Sequence, residues 1–331
     1  MNHPHAPDYP SVTAILPARE EEPSIAAAIN SLLDQEYGGP LDVVVAVAPS
    51  TDRTLEIATE IASATGRVTV IENPSGTTPA GLNAAIAATT GEIIVRCDAH
   101  AVLPAGYVAA AVMDLKATGA VNVGGIQDAE GIGAMQRAIA AAMTSPFGVG
   151  DARFHTGGPP GFVDTVYLGV FQRDALDAVG GFDETLIRNQ DYELNYRLRA
   201  AGGKIYFDPA LRVTYRPRST LRGLGRQYLE YGRWKRVVMR RHPDSTRWRQ
   251  LVAPTFVIGL GLSAVAGLTG HRKVAALVPG SYLIALAGAT AREVVGRKDS
   301  TMLLLPLVFP TMHVSWGVGF LTSRQTPASD A

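Results

Sequence analysis

Cysteine is almost missing from this chain of 331 residues: Cys97 is the only one. One thiol cannot form an internal disulfide, so packing must hold the fold, and the composition fits a reducing compartment. Net charge is missing as well, with 30 Lys and Arg against 30 Asp and Glu. The opening MNHPHAPDYPSV has neither a basic start nor an apolar core, so no secretory signal is expected in it. Residues 1–10 read as a flexible leader. Two ligand motifs are lacking too. No Gly-x-Gly-x-x-Gly turn follows the first apolar run, and no phosphate-loop Gly-Lys-Ser/Thr occurs. A dinucleotide-dependent redox enzyme and an ATPase are therefore disfavoured.

The neutral total conceals a strong division. Residues 1–203 carry 11 basic and 24 acidic side chains, residues 204–249 carry 13 and 3, and residues 250–331 carry 6 and 3. An acidic body is joined to a basic strip. Beyond the strip come three runs without Asp, Glu, Lys or Arg: 251–270, 274–291 and 301–323. A bilayer core of about 30 Å takes roughly 20 apolar residues in a helix, so each run is long enough to span. Pro254, Pro279, Pro306 and Pro310 would damage water-soluble helices but are tolerated in membrane helices. None of the runs shows the polar face that a core helix of a soluble bundle would carry. In the strip at 216–249, arginines are interleaved with Tyr228, Tyr231, Trp234 and Trp248. That mixture suits a bilayer surface, with rings at headgroup depth and guanidinium groups on phosphates. Nucleic-acid binding is the competing reading of such a strip, and the adjoining span argues against it. The excess of positive charge before the first span places the preceding domain in the cytoplasm.

The first 215 residues alternate strand and helix signals. Apolar runs at 12–16, 41–48, 68–72 and 92–97 are separated by helical patterns at 23–35, 54–63 and 80–89. Continuous apolar strands with helical crossovers imply a mostly parallel α/β sheet covered on both faces. Ligands of such sheets sit outside the carboxyl ends of the strands. Three polar clusters fall there: Pro17–Glu20, Ser50–Asp52 and Asp98–His100. Asp98 and His100, one residue apart at a strand end, can share one face of a turn. An acid with an imidazole could hold Mn²⁺ or Mg²⁺, the imidazole favouring Mn²⁺. Asn189 stands where it could cap a helix, with Asp191 in the first turn. The segment MTSPFGVGDARFHTGGPPGFVDTVYLG, rich in glycine and proline, is a candidate lid or substrate loop.

In one order, the chain carries ILPAREEEPSIAAAINSLLDQ, STDRT, NPSGTTPAGLNAAIAATTGEIIVRCDAHAVLPAGYV, AIAAAMTSPFGVGDARFH, FVDTVYLGVFQRDALDAVGGFDE, RNQDYELNYRLRAAGGKI and QYLEYGRW. Over roughly residues 10–250 it resembles the inverting family 2 glycosyltransferases of GT-A fold. Within them it is similar to the membrane-bound subfamily of succinoglycan-biosynthesis glucosyltransferases. The resemblance implies a Rossmann-like GT-A domain over residues 11–215. A basic interface segment at 216–249, three membrane helices near 251–270, 274–291 and 301–323, and a tail at 324–331 would follow. Asp98-Ala99-His100 then stands for the family's Asp-x-Asp element. It places Asp98 near the nucleotide and both Asp98 and His100 on a divalent cation. Asp191 is implied as catalytic base, with Gln190 beside it. Pro17, Arg19, Glu20 and Asp52 fall at the nucleotide end. Gln227, Arg233 and Trp234 look like a stretched Gln-x-x-Arg-Trp element for donor diphosphate or acceptor. One departure stands out: where the family has an acid before Ser-x-Asp, this chain has Val47 and Ala48.

The function so implied is transfer of a sugar from a nucleoside-diphosphate sugar, a UDP-sugar first, to a hydroxyl of a polyprenyl-diphosphate-linked acceptor. Such a reaction builds cell-envelope or extracellular polysaccharide at the inner (plasma) membrane, with the catalytic domain cytoplasmic and no nucleic acid involved. Two alternatives are transfer to polyprenyl phosphate itself and a non-catalytic, membrane-tethered sensor of nucleotide sugars.

Overall fold

The computed structural model describes residues 9–324, so most of the expected leader and tail lies outside the described residues. The chain opens with β1 (Val12–Ala18), α1 (Ile25–Leu33), β2 (Leu41–Val47), α2 (Thr54–Thr65), β3 (Val68–Glu72), α3 (Thr78–Ala87) and β4 (Ile93–Arg96). Next come α4 (Tyr107–Thr118), β5 (Asn122–Ala129), α5 (Ala134–Met143), α6 (Pro146–Val149), α7 (Arg153–Thr156), β6 (Gly161–Val163) and β7 (Tyr167–Gln172). The last elements are α8 (Arg173–Ala178), α9 (Gln190–Ala200), β8 (Ile205–Tyr215), α10 (Leu221–Arg241), α11 (Arg249–Leu268), α12 (Arg272–Arg297) and α13 (Leu305–Thr322). These elements form two compact units. One comprises Met1–Asp128 and Gly157–Thr214, the other Ala129–Thr156 and Tyr215–Ala331.

The first unit is built on a sheet of strand order β3-β2-β1-β4-β7-β5-β8-β6. The four apolar runs read from the sequence are its parallel part: Val12 pairs with Leu41 and Ile93, and Val43 with Val68. Beyond β4 the sheet becomes mixed, because β7 runs antiparallel to both β4 and β5, and β6 to β8. Alternate residues of β1 enter opposite cores. Ala14 and Leu16 pack with Ile29 of α1 and Val108 of α4, whereas Ile15 packs with Leu82 of α3 and Leu194 of α9. Burial on both faces explains why these strands read as unbroken apolar runs. Their carboxyl ends open on one edge, where the polar clusters emerge.

The second unit is helical. Three of its helical stretches, Arg249–Leu268, Arg272–Arg297 and Ser300–Thr322, are long and apolar enough to cross a membrane. Ile139 and Met143 of α5, Leu224 and Tyr228 of α10, and Phe309 and Met312 of α13 share one buried cluster. Thr220 caps α10, its hydroxyl accepting from the Gly223 N–H at 3.1 Å. The helix α10 then lies backbone to backbone on α13. A Cβ at Gly232 would strike the Trp316 carbonyl, and one at Gly319 the Leu229 carbonyl, so glycine alone permits this approach from both sides. Part of the segment expected as a lid joins this unit as α6 and α7. The Phe147 carbonyl is 2.9 Å from His313 Nε2, and Tyr282 Oη is 2.9 Å from His313 Nδ1.

Candidate active site

All the strand-end residues singled out in the sequence before residue 200 lie in the first unit. The tips of β1 and β2 are sewn together by their own polar groups. Glu20 adopts φ +54°, an uncommon conformation for a non-glycine residue, and so turns its N–H to the Ser50 hydroxyl at 3.1 Å. The Glu20 carboxylate in turn accepts from the Thr51 N–H at 2.8 Å. Asp52 accepts from the N–H groups of Glu22 and Thr54, each at 3.0 Å. The Thr54 hydroxyl, then these backbone donors, hold the Asp52 carboxyl below its ordinary pKa. Glu20 and Asp52 thus fix the loops that form the rim. Pro17 lies within β1, paired with Ala46, and Arg19 follows the strand end. Val47 and Ala48 are buried at the end of β2.

The centre of the site is an arginine. Arg96 ends β4, is 4% exposed, and carries both acids that matter. Its Nη2 and Nε donate to Asp98 Oδ1 at 3.0 and 3.2 Å, while Nη1 pairs with Asp191 Oδ1. Arg96 thus joins Asp98, two residues on, to Asp191, 95 residues on. The Phe182 ring lies 5.8 Å from the guanidinium carbon. Asp191 rides on the first turn of α9, which is itself anchored. Glu193, 1% exposed, pairs with Arg197, whose guanidinium also donates to the carbonyls of Val179 and Gly181. Gln190 is buried beside Asp191. Asn189 occupies the cap position as expected, but at φ +63° and without a capping side-chain bond. At that φ its side chain does not reach back to the α9 N–H groups.

Asp98 turns inward to Arg96, and His100 Nδ1 lies 3.1 Å from Glu21 Oε1. Burial raises the pKa of Glu21, yet the His100 and Ser24 hydrogen bonds outweigh it and hold the carboxyl low. Among the described residues no three His, Cys, Asp or Glu side chains form a ready metal cage. The donors nevertheless fit a cation bound chiefly through its substrate. Asp98 Oδ2 lies outside the guanidinium fork, and the His100 side chain is 51% exposed. A carboxylate and an imidazole are donors that would suit Mn²⁺.

The remaining expected residues belong to the second unit and lie on α10. Gln227 Nε2 donates to the hydroxyls of Tyr215 and Tyr231 at 3.0 and 2.8 Å, leaving Oε1 buried without a hydrogen bond. Arg233 pairs with Glu230 at 2.8 Å, and Trp234 is 8% exposed.

The pattern of glycosyl transferase family 2 matches residues 13–180, about half of the chain, a stretch that includes Arg96, Asp98 and His100 and ends before Asp191. The chain belongs to glycosyl transferase family 2. As a family 2 glycosyltransferase it is 30% identical over 308 residues to the succinoglycan biosynthesis protein ExoA of Rhizobium meliloti (strain 1021), covering 92% of each chain. It is 22% identical over 318 residues to the dolichyl N-acetyl-alpha-D-glucosaminyl phosphate 3-beta-D-2,3-diacetamido-2,3-dideoxy-beta-D-glucuronosyltransferase of Methanococcus voltae, covering 93% and 95%. Its GT-A-like fold matches the mannosyltransferase PcManGT of Pyrobaculum calidifontis, solved with GDP-Man and Mn²⁺. That match has a TM-score of 0.68 and 19% identity, and covers 96% of this chain and 89% of the other. The family 2 site here contains one central residue that sequence reasoning passed over, Arg96. Its signal was present: a charged side chain closing an apolar strand must find anionic partners when buried.

Proposed function

We propose that this glycosyltransferase moves a sugar, with inversion, from a nucleoside-diphosphate sugar to a hydroxyl of a polyprenyl-diphosphate-linked acceptor in cell-envelope or extracellular polysaccharide synthesis. One observation carries the reading: two carboxylates from distant parts of the chain, Asp98 and Asp191, meet at the strand ends of a GT-A sheet. The lipid-linked acceptor draws support from the three span-length helices and from the Rhizobium and Methanococcus relatives, whose names describe polysaccharide synthesis and transfer to a dolichyl-linked sugar. The basic strip ahead of the first span supports a plasma-membrane enzyme with a cytoplasmic catalytic unit.

In the proposed reaction Asp191 accepts the proton of the acceptor hydroxyl through Oδ2, the oxygen that Arg96 leaves free. The acceptor oxygen attacks the anomeric carbon, the bond from that carbon to the diphosphate breaks, and the electron pair leaves with the nucleoside diphosphate. A divalent cation at Asp98 and His100 would supply counter-charge for the leaving diphosphate, as the Mn²⁺ of the mannosyltransferase complex suggests. Glu20, Asp52, Pro17 and Arg19 form the rim proposed for the nucleotide. Gln227, Arg233 and Trp234 are proposed for the acceptor's phosphates, and the unused Gln227 Oε1 offers a hydroxyl donor a partner.

The test uses detergent-purified full-length protein with UDP- and GDP-sugars, a prenyl-diphosphate-linked sugar, and either Mn²⁺ or a chelator. Transfer giving a product stable to mild acid is expected. An acid-labile product would shift the acceptor to polyprenyl phosphate itself. Binding of the nucleotide sugars without any transfer or hydrolysis would replace the enzyme reading with a sensor.

A further inference from the structure

We propose that Arg96 is a positioning residue: it holds Asp191 so that a single carboxylate oxygen faces the acceptor. The inference rests on Asp191 being the base.

Three features of the geometry support it. The Arg96 side chain is 5% exposed, against 20% for Asp98 and 35% for Asp191, so a buried cation reaches outward to two acids at the cleft. Burying a guanidinium costs far more than burying the Ile93, Ile94 and Val95 that precede it in β4. The strand carries that cost at the residue beside the site. The fork is also asymmetric in what it takes. It engages Oδ1 of both acids and leaves both Oδ2 atoms outside it. A carboxylate tethered by one oxygen to a planar, rigid donor cannot spin freely, so the other oxygen keeps its direction. Finally, Arg96 is itself held. The Phe182 ring lies against it, and Phe182 is pinned by Asn83, which accepts from its N–H and donates to its carbonyl, both at 2.8 Å.

Holding a base in one orientation lowers the entropy that the reacting complex must give up, and misplacement by about 1 Å can cost on the order of a hundredfold. It follows that Arg96 acts on turnover through Asp191, while its bonds to Asp98 bear on the cation, so that donor affinity at saturating Mn²⁺ changes little. It also follows that lysine is a poor substitute, because an ammonium group has no planar fork with which to fix a carboxylate, although it restores the charge.

The experiment compares wild type with Arg96→Gln, Arg96→Lys, Asp191→Asn and the double variant Arg96→Gln/Asp191→Asn, all full-length in detergent. Measured are kcat and the donor KM, calorimetric binding of UDP or GDP with Mn²⁺, and the melting temperature. Arg96→Gln is expected to lower kcat by roughly 30- to 100-fold with KM changed less than about threefold, and Arg96→Lys to regain about a third of that loss on a logarithmic scale. At saturating Mn²⁺, where the Arg96 bonds to Asp98 weigh least, the double variant should be no slower than Asp191→Asn alone within about threefold, since Arg96 has no base left to position. Losses that multiply in the double variant would overturn the proposal, as would an Arg96→Gln that loses nucleotide binding rather than turnover. Should Arg96→Gln fail to fold, Arg96→Lys and its double with Asp191→Asn carry the same comparison. The two readings fail differently: an active Asp191→Asn removes the base and this proposal together, whereas an inactive Asp191→Asn beside a fully active Arg96→Gln removes this proposal alone.

Discussion

Asp114 of α4 faces Asp208 of β8, and the pair makes a pH-dependent weak point. Burial first, then the charge of Asp208 and the hydrogen bond to it, push the Asp114 carboxyl up to about 6, and its Oδ2 is enclosed without a partner. The folded state therefore holds a proton on Asp114 more tightly than the unfolded chain, whose ordinary value is 3.8. Where the folded state binds more protons, stability falls as pH rises. The stabilisation is complete below about 3.8 and is lost as pH climbs through about 6. A displacement from 3.8 to about 6 corresponds to at most ~3 kcal/mol. Because Asp114 is only partly buried, solvent screening reduces this to about 1 kcal/mol. Asp114→Asn keeps the hydrogen bond to Asp208 and removes the charge. At pH 7.5 it should melt about 2 °C above wild type, and at pH 4 the two should coincide. The assay is a thermal melt of detergent-purified protein at half-unit pH steps. A difference that does not change with pH, or a variant less stable at pH 7.5, would refute the reasoning.

Asp191→Asn should cost at least about a hundredfold in kcat while still binding nucleotide with Mn²⁺, because general-base assistance is typically worth 10²- to 10⁴-fold; calorimetry and steady-state rates decide it together. Gly319→Val should abolish the contact of α10 with α13, since even a Cβ meets the Leu229 carbonyl, and the yield of monodisperse protein should collapse. Gly261→Ala in α11, with open space around it, is the control that should express normally. His100→Ala should raise the Mn²⁺ concentration needed for half-maximal nucleotide binding by about tenfold, read by calorimetry, while leaving melting unchanged in the absence of metal.

The parallel half of the sheet was legible because strands buried on both faces must be apolar throughout, and the acids at their ends stand out against that background. Asp98 was visible for the same reason, whereas Asp191 drew notice as an acid in the first turn of a helix and through the family resemblance. What joins them was harder to see. Arg96 sits in a run, Ile93–Arg96, whose pattern spoke of a strand, and its partner Asp191 lies 95 residues on. Pairings of that sequence separation leave no local pattern. The bond of His100 to Glu21, 79 residues away, was likewise invisible in the sequence. Helical composition promised a cap from Asn189, yet the backbone there bends to φ +63°, a tertiary constraint that propensity cannot express. The antiparallel β7 and β6 emerged from a stretch whose glycines and prolines hid short strands.

Ala129–Thr156 stands in the sequence inside the transferase, yet its core partners are helices that come after residue 214. The helical unit and the sheet unit are in this sense interleaved along the polypeptide. Severing the chain before Arg249 to obtain a water-soluble enzyme would strand Ile139 and Met143 without Phe309 and Met312, leaving a greasy stump that aggregates. Replacing the helical unit with another would require grafting two separate stretches at once.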